Sequence, residues 1–273
     1  MFEHFLHRDE APFKKEAWEA IDHAVVGAAK SQLTARRLLH TEGPYGLGIK
    51  SIPLADKPLD EKPAIEGVTV LASAMLPLAM LRREFALPAR DIAAFEQTGL
   101  PLDPGLPADA AIAIAREEDA LLFNGSKGMK ADGILSARGS HSMKLKSWEK
   151  IGAAAEDVIQ AVTALDDAGF HGPYTLGLSP QLHNLLYRRY PNAEATVLEH
   201  VRTILGEGVV KSQAIAAGGV LLASGREFAT IVVGQDLATG FVGPEPGAYR
   251  FVVYETLALR LIRPDAFVVL KAG

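Results

Sequence analysis

The groups able to do chemistry in this chain are scattered, and few stand at spacings that make a site. Glu117-Glu118-Asp119 is the densest run of carboxylates. Paired carboxylates serve as general acid and base, or hold metal ions. Adjacent helical residues point in different directions, however, so these three cannot converge on one ligand. One of them turned inward to pair with an Arg is the simpler reading. Eight His occur, at 4, 7, 23, 40, 141, 171, 183 and 200, and no two flank a Glu at H-E-x-x-H spacing. His4 and His7 read as exposed residues near a terminus, and Asp166-Asp167 as a solvated helix end. Cys is absent, so no disulfide, thiolate nucleophile or Cys-held metal is available. No metal site and no cofactor is therefore expected.

The glycine motifs fail on spacing. Gly125-Ser-Lys-Gly128 has the composition of a phosphate loop without its G-x-x-x-x-G-K-[ST] pattern. Gly46-Leu-Gly48 does not continue as a dinucleotide fingerprint, and Gly177-Leu-Ser179 runs into Pro-Gln where a nucleophile elbow needs x-Gly. Without a motif, a Ser–His–Asp triad is only an assembly on paper. Tyr187-Arg-Arg-Tyr-Pro191 combines stacking rings with phosphate-pairing guanidiniums. Two Arg make a small footprint, and the segment reads as the exposed end of a short helix entering a Pro-broken loop. Such a loop can also line an opening shared by several copies.

The elements that must carry these residues belong to a chain of 273 residues, 48% hydrophobic and 22% charged. This is globular composition, enough for one large or two intimate domains. A compact monomer of this mass exposes about 11,000 Å². The net charge is −5, and neither end is a basic arm, which disfavours a nucleic-acid partner. Gly67–Leu81, the longest uncharged apolar stretch, is too short for a membrane span and is broken by Pro77. The first ten residues carry acids where a secretion signal carries bases. These features predict a soluble, non-secreted protein, and the absence of Cys fits a reducing cytoplasm.

Apolar periodicity predicts helices over Pro12–Leu33 (stripe Trp18, Ile21, Val25, Ala28), Arg90–Glu96 and Pro107–Phe123 with Asp109 serving its N-terminus. It predicts others over Ser147–Ala168 with Ser147 as N-cap, Ser179–Tyr187 with Pro180 at the first position, and Thr196–Leu205. Strands are predicted at Gly172–Leu178, Gly219–Ala223, Ala229–Val233, Leu237–Val242, Tyr249–Ile262 and Phe267–Lys271. Ile49–Leu87, with Pro at 53, 58, 63 and 77, reads as a long two-stranded arm around a polar turn at Asp56–Glu61. Such an arm cannot bury both its faces alone, and a neighbouring subunit is one candidate to cover it. The mixture is α+β.

Several segments, in order over nearly the whole length, resemble the encapsulins, or linocin-type bacteriocin family, shell proteins related to tailed-phage major capsid proteins. They are Glu42-Gly-Pro-Tyr-Gly46, Leu76–Leu87, Glu118-Asp119 with Phe123-Asn-Gly125 and Gly133-Ile-Leu135, Gly172-Pro-Tyr-Thr-Leu176, Gly234–Phe241, and Glu255-Thr with Arg263-Pro-Asp-Ala266. The resemblance implies the tailed-phage capsid fold. Its parts would be an N-terminal helix (1–44), an extended β-arm or E-loop (45–85), a peripheral domain (86–134 and 236–273) and an axial domain (135–235). It further implies a homo-oligomeric icosahedral shell enclosing a cargo enzyme, commonly a dye-decolourising peroxidase or a ferritin-like protein, that bears a terminal targeting peptide. That peptide would dock in an apolar groove beside the first helix, here at Ile21, Val25, Ala28 and Leu33. A five-fold pore loop would fall on Arg188, Arg189, Tyr190, Pro191, Asn192, Ala193 and Glu194, where its length and sequence depart from relatives. The shell itself would not be an enzyme. Alternatives are a bacteriocin- or protease-type enzyme, for which no nucleophile–base motif is present, and a true phage capsid protein, which the negative net charge opposes.

Overall fold

The computed structural model describes residues 3–59, 65–191 and 193–273. Short 3-10 turns at Glu3–Leu6 and Arg8–Glu10 lead into α1 (Lys15–Gln32), and another at Ala35–Arg37 precedes β1 (His40–Glu42). The arm follows as β2 (Ser51–Pro53), β3 (Lys57–Pro58), β4 (Leu71–Ala72) and β5 (Met75–Pro77). It returns through β6 (Ala79–Pro88), which runs directly into α2 (Ala89–Thr98) and then α3 (Gly105–Asn124). A small hairpin, β7 (Gly125–Ser126) and β8 (Ala131–Asp132), leads to β9 (His141–Lys144), α4 (Ala153–Asp167) and β10 (Tyr174–Leu178). Next come α5 (Pro180–Leu185), α6 (Val197–Leu205), β11 (Gly206–Lys211) and β12 (Gly219–Ala223). The chain closes with β13 (Ala229–Val233), β14 (Ala238–Glu245), β15 (Ala248–Leu261) and β16 (Phe267–Lys271).

Helix boundaries follow local chemistry. α1 starts three residues later than its periodicity suggests, because Phe13 leaves the helix to pack on Trp18, with ring centroids 5.4 Å apart. With Lys14 as N-cap, that contact is a hydrophobic staple between N′ and N4. Asp103, not Asp109, serves the start of α3: its Oδ1 accepts the Gly105 N–H at 2.9 Å. The predicted helix from Ser147 begins only at Ala153. Asp157 Oδ2 accepts from the Lys146 N–H and from Trp148 Nε1, both at 2.9 Å, and holds 146–148 as a turn. α5 and α6 form as expected, with Ser179 capping one and a Thr196–Glu199 capping box opening the other.

Two five-stranded sheets organise the chain. In the first, β15 pairs antiparallel with β13, β14 and β6, and β1 adds to β13 in parallel. The second has the order β11-β10-β12-β16-β9. Its strands β10 and β12 are buried along their whole length, in keeping with their largely apolar sequences. Pairing carries the chain twice across the expected boundary between 235 and 236. β13 joins the sheet built on β15, and β16 joins the sheet of β10 and β12. Strand sequences of this kind state that they are buried, but not in which sheet.

One core packs α4 and α6 on the second sheet around Leu165, Leu176, Val201 and Phe267. The other packs α1 and α3 on the first sheet around Trp18, Ile21, Phe85 and Phe251. Helix α3 belongs to both, through Ala111 and Ile114 in one and Leu122 and Phe123 in the other. Gly218 closes the turn before β12 at φ +73°, where a Cβ would overlap the Leu270 carbonyl oxygen. Gly218→Ala is therefore expected to separate β12 from β16 and lower the thermal transition, as calorimetry would show.

Among the described residues 47–80 the arm buries no side chain. β2 and β5 share three residue pairs and β3 and β4 share two, so the predicted two-stranded ribbon is present. Of the Asp56–Glu61 turn, residues 60 and 61 lie outside the described residues. The chain exposes 14912 Å². This exceeds the compact-monomer value of about 11,000 Å² by roughly a third.

Candidate functional site: the assembly arm, the 188–194 loop and a buried charge cluster

The acidic run on α3 is a joint, not a catalytic pair. Glu118 and Asp119 are both buried and Glu117 is exposed, so two of the three turn inward where one was expected. They hold one short segment from two sides. Asp119 accepts from the Thr34 N–H at 3.0 Å, the Thr34 hydroxyl at 2.5 Å and the Ala35 N–H at 2.9 Å. Glu118 takes the Arg36 guanidinium in a fork, at 2.7 and 2.9 Å. The same guanidinium reaches Asp236 at 2.9 Å and Glu255 on β15 at 3.0 Å. Burial works to lower the Arg36 pKa, but hydrogen bonding and charge from Glu118 outweigh it and raise it. Glu255 is pushed up to about 9, first by burial and then by the neighbouring Glu118. Both effects favour its protonated form, against the pull of Arg36. The cluster ties helix, strand and turn together, with the carboxylates of Glu118 and Asp119 engaged by Arg36, Thr34 and Ala35. Spacing does not mark Arg36 as the partner of the acidic run, nor Glu255 as more than part of the Glu255-Thr segment, although a lone carboxylate among the mostly apolar residues 251–259 is a usable sign.

The 188–194 loop joins α5 to α6. Its members divide into anchors and free residues. Arg188 donates through Nε to the Leu185 carbonyl at 3.1 Å, through one Nη to the Glu149 carbonyl at 2.9 Å, and through the other to the Trp148 carbonyl. It clamps the 148–149 turn and is spent on that role. Tyr190 packs on the core and bonds His200 Nδ1 at 2.8 Å. Arg189, Pro191, Ala193 and Glu194 are exposed, and Asn192 lies outside the described residues. Arg188→Ala should cost about 1–3 kcal/mol of stability. Arg189→Glu should leave the calorimetric transition where it is.

The docking residues expected on α1 need correction. Ile21 and Val25 are each 1% exposed and sit among Trp18, Phe85, Ile114 and Phe251. They face inward because α1 buries against α3, so no peptide reaches them. Ala28 and Leu33 keep partial exposure, and Val26 is the apolar residue on the open side of the helix.

The arm carries a run of exposed apolar side chains. Leu59, Ile65, Val68, Val70, Leu71 and Met75 are all exposed, Ile65 by 69% and Leu71 by 56%. Among the described residues no group of His, Asp and Glu is placed to hold a metal ion, and no helix is long and apolar enough to cross a membrane.

The fold is that of proteins that build closed particles. The chain superposes on the virus-like particle protein from Pyrococcus furiosus with a TM-score of 0.74 at 22% identity, over 94% of this chain and 100% of that one. It superposes on the capsid of Myoviridae phage XM1 with a TM-score of 0.61 at 14% identity, over 88% and 91%. The α+β, tailed-phage capsid architecture expected from sequence is thus the observed one. The family model for an encapsulating protein for peroxidase matches residues 3–258, and the chain belongs to this family, the encapsulins. It is 29% identical to the type 1 encapsulin shell protein EncA of Myxococcus xanthus, over 98% of this chain and 97% of that protein. It is 30% identical to a diheme-cytochrome–encapsulin shell fusion protein of Kuenenia stuttgartiensis, over 96% of this chain and 74% of that protein.

Proposed function

We propose that many copies of this chain close into a hollow icosahedral shell in the cytoplasm that encloses a cargo enzyme and does no chemistry itself. The observation that carries this reading is the arm. It extends apolar side chains into solvent with no cover among the described residues, and burial of such a surface needs a second molecule. The encapsulin kinship supplies the kind of second molecule, another copy. The division into N-terminal helix, arm, peripheral and axial parts is retained, with β13 and β16 exchanged between the last two.

Cargo is a peroxidase or ferritin-like enzyme, carried by a terminal targeting peptide that docks beside α1 near Ala28 and Leu33. Kinship with proteins that fuse a shell to a diheme cytochrome or to a ferritin-like domain supports this reading. Small molecules enter through openings bordered by the 188–194 loop, where Arg189 and Glu194 present both charge signs.

Light scattering on a sizing column should give a particle mass far above 29.2 kDa, and a monomer or dimer would overturn the proposal. Replacing residues 54–76 by a short Gly-Ser linker should leave circular dichroism nearly unchanged and abolish particles. Mass spectrometry of particles from the native host would identify the cargo.

A further inference from the structure

Between the end of α1, helix α3 and the edge strand β11 lies an open cleft of about 730 Å³ that the shell reading does not use. Three cations from three separate elements line it: Arg37 from the turn after α1, Arg116 from α3 and Lys211 from β11. None of them forms an ion pair among the described residues. Arg116 Nε reaches only Gln32 Oε1 at 3.4 Å, and Lys211 Nζ only Asn184 Oδ1 at 3.5 Å, both long for hydrogen bonds. Elsewhere Arg36, Arg138, Arg260 and Arg263 all meet carboxylates.

Asp119 is the one carboxylate in the wall, and both its oxygens are engaged by Thr34 and Ala35. The buried His183 adds no charge, since burial, with Lys211 and Arg202, lowers its pKa. The cleft is therefore net positive. The rest of its wall includes apolar Val209, Val210 and Ala214.

We propose that this cleft binds a small phosphorylated anion of nucleotide size, with its phosphates on Arg37, Arg116 and Lys211 and its organic part on the apolar wall. A phosphate chain matches three cations better than a single carboxylate does, and the Arg fork suits phosphate oxygens. The volume falls within the roughly 300–1,000 Å³ of small-molecule sites. The bound anion bridges β11 of one sheet to α1 and α3, which pack on the other, so it raises thermal stability.

Calorimetric titration of the purified protein with ATP, pyrophosphate, inorganic phosphate and adenosine at low salt tests this. Saturable binding of ATP, absent for adenosine, is expected, with a rise in the thermal transition. Pyrophosphate binding as tightly as ATP would overturn the contact of an organic part with the apolar wall. Arg37→Ala/Arg116→Ala should weaken binding at least tenfold, and Arg263→Ala should not. Should the double Ala variant fail to fold, Arg37→Lys/Arg116→Lys should still weaken binding by losing the fork. The absence of saturable binding by any phosphate, or equal affinity in the folded variants, would overturn the proposal. That result would leave the shell reading intact, because particle size is measured separately.

Discussion

Replacing Arg36 with Met is expected to destabilise the subunit by about 3–5 kcal/mol, a large part of the 5–15 kcal/mol that holds a typical domain together. For a chain of this length, that lowers the calorimetric transition by roughly 10 °C. The guanidinium is the only cation bonded to Glu118 and Glu255 among the described residues, and these are 0% and 1% exposed. Without it, Glu118 is left as an uncompensated charge in the joint between α3 and β15. The comparison with Arg36→Met/Glu118→Leu/Glu255→Leu separates charge from packing. Because an apolar replacement of a whole buried ion cluster is often neutral, the triple variant should recover most of the loss. A single variant that melts with the wild type would show that the cluster does not hold the joint.

Glu255→Gln should flatten the pH dependence of stability. The Glu255 carboxyl titrates near 4.5 when free and near 9 in the folded subunit, mainly because it is buried. The folded state thus binds the proton more tightly. The stabilisation is complete below pH 4.5, falls as pH rises, and is gone above about pH 9. The slope in that window is on the order of 1.4 kcal/mol per pH unit. Gln keeps a donor where the protonated acid has one and cannot ionise. The variant should track the wild type near pH 5 and melt higher at pH 8 to 9, with a flatter profile. Parallel profiles for the two proteins would mean that Glu255 is ionised in the fold.

Most of the secondary structure was legible because it rests on local chemistry. The stripe of α1, the Ser179 and Thr196 caps and the largely apolar strands β10, β12, β13 and β16 are signals within a few residues. The misreadings arise from contacts that periodicity does not encode, some a few residues apart and some far along the chain. Asp157 reaching back to Trp148 shortened α4, and the sheet that receives β16 depends on β12, far upstream. The candidate site was legible as an arm needing cover, since length, prolines and alternating apolar residues stated that without help. Which face of α1 is open depends on α3 packing on the other side. That Arg188 is a clamp depends on carbonyls some forty residues away. Neither leaves a trace in spacing.

The ten-residue ladder between β6 and β15 has a mechanical consequence. The arm is a cantilever whose root is riveted along that ladder, at the edge of a sheet, while its outer part is held by two short patches of pairing. A pull on the tip loads the root in shear across many hydrogen bonds at once, whereas the outer patches open one pair at a time. Strain between neighbours in the proposed shell is then absorbed near the tip, and the subunit body is spared. Under indentation, such a shell should give way at its seams and recover, before its subunits unfold.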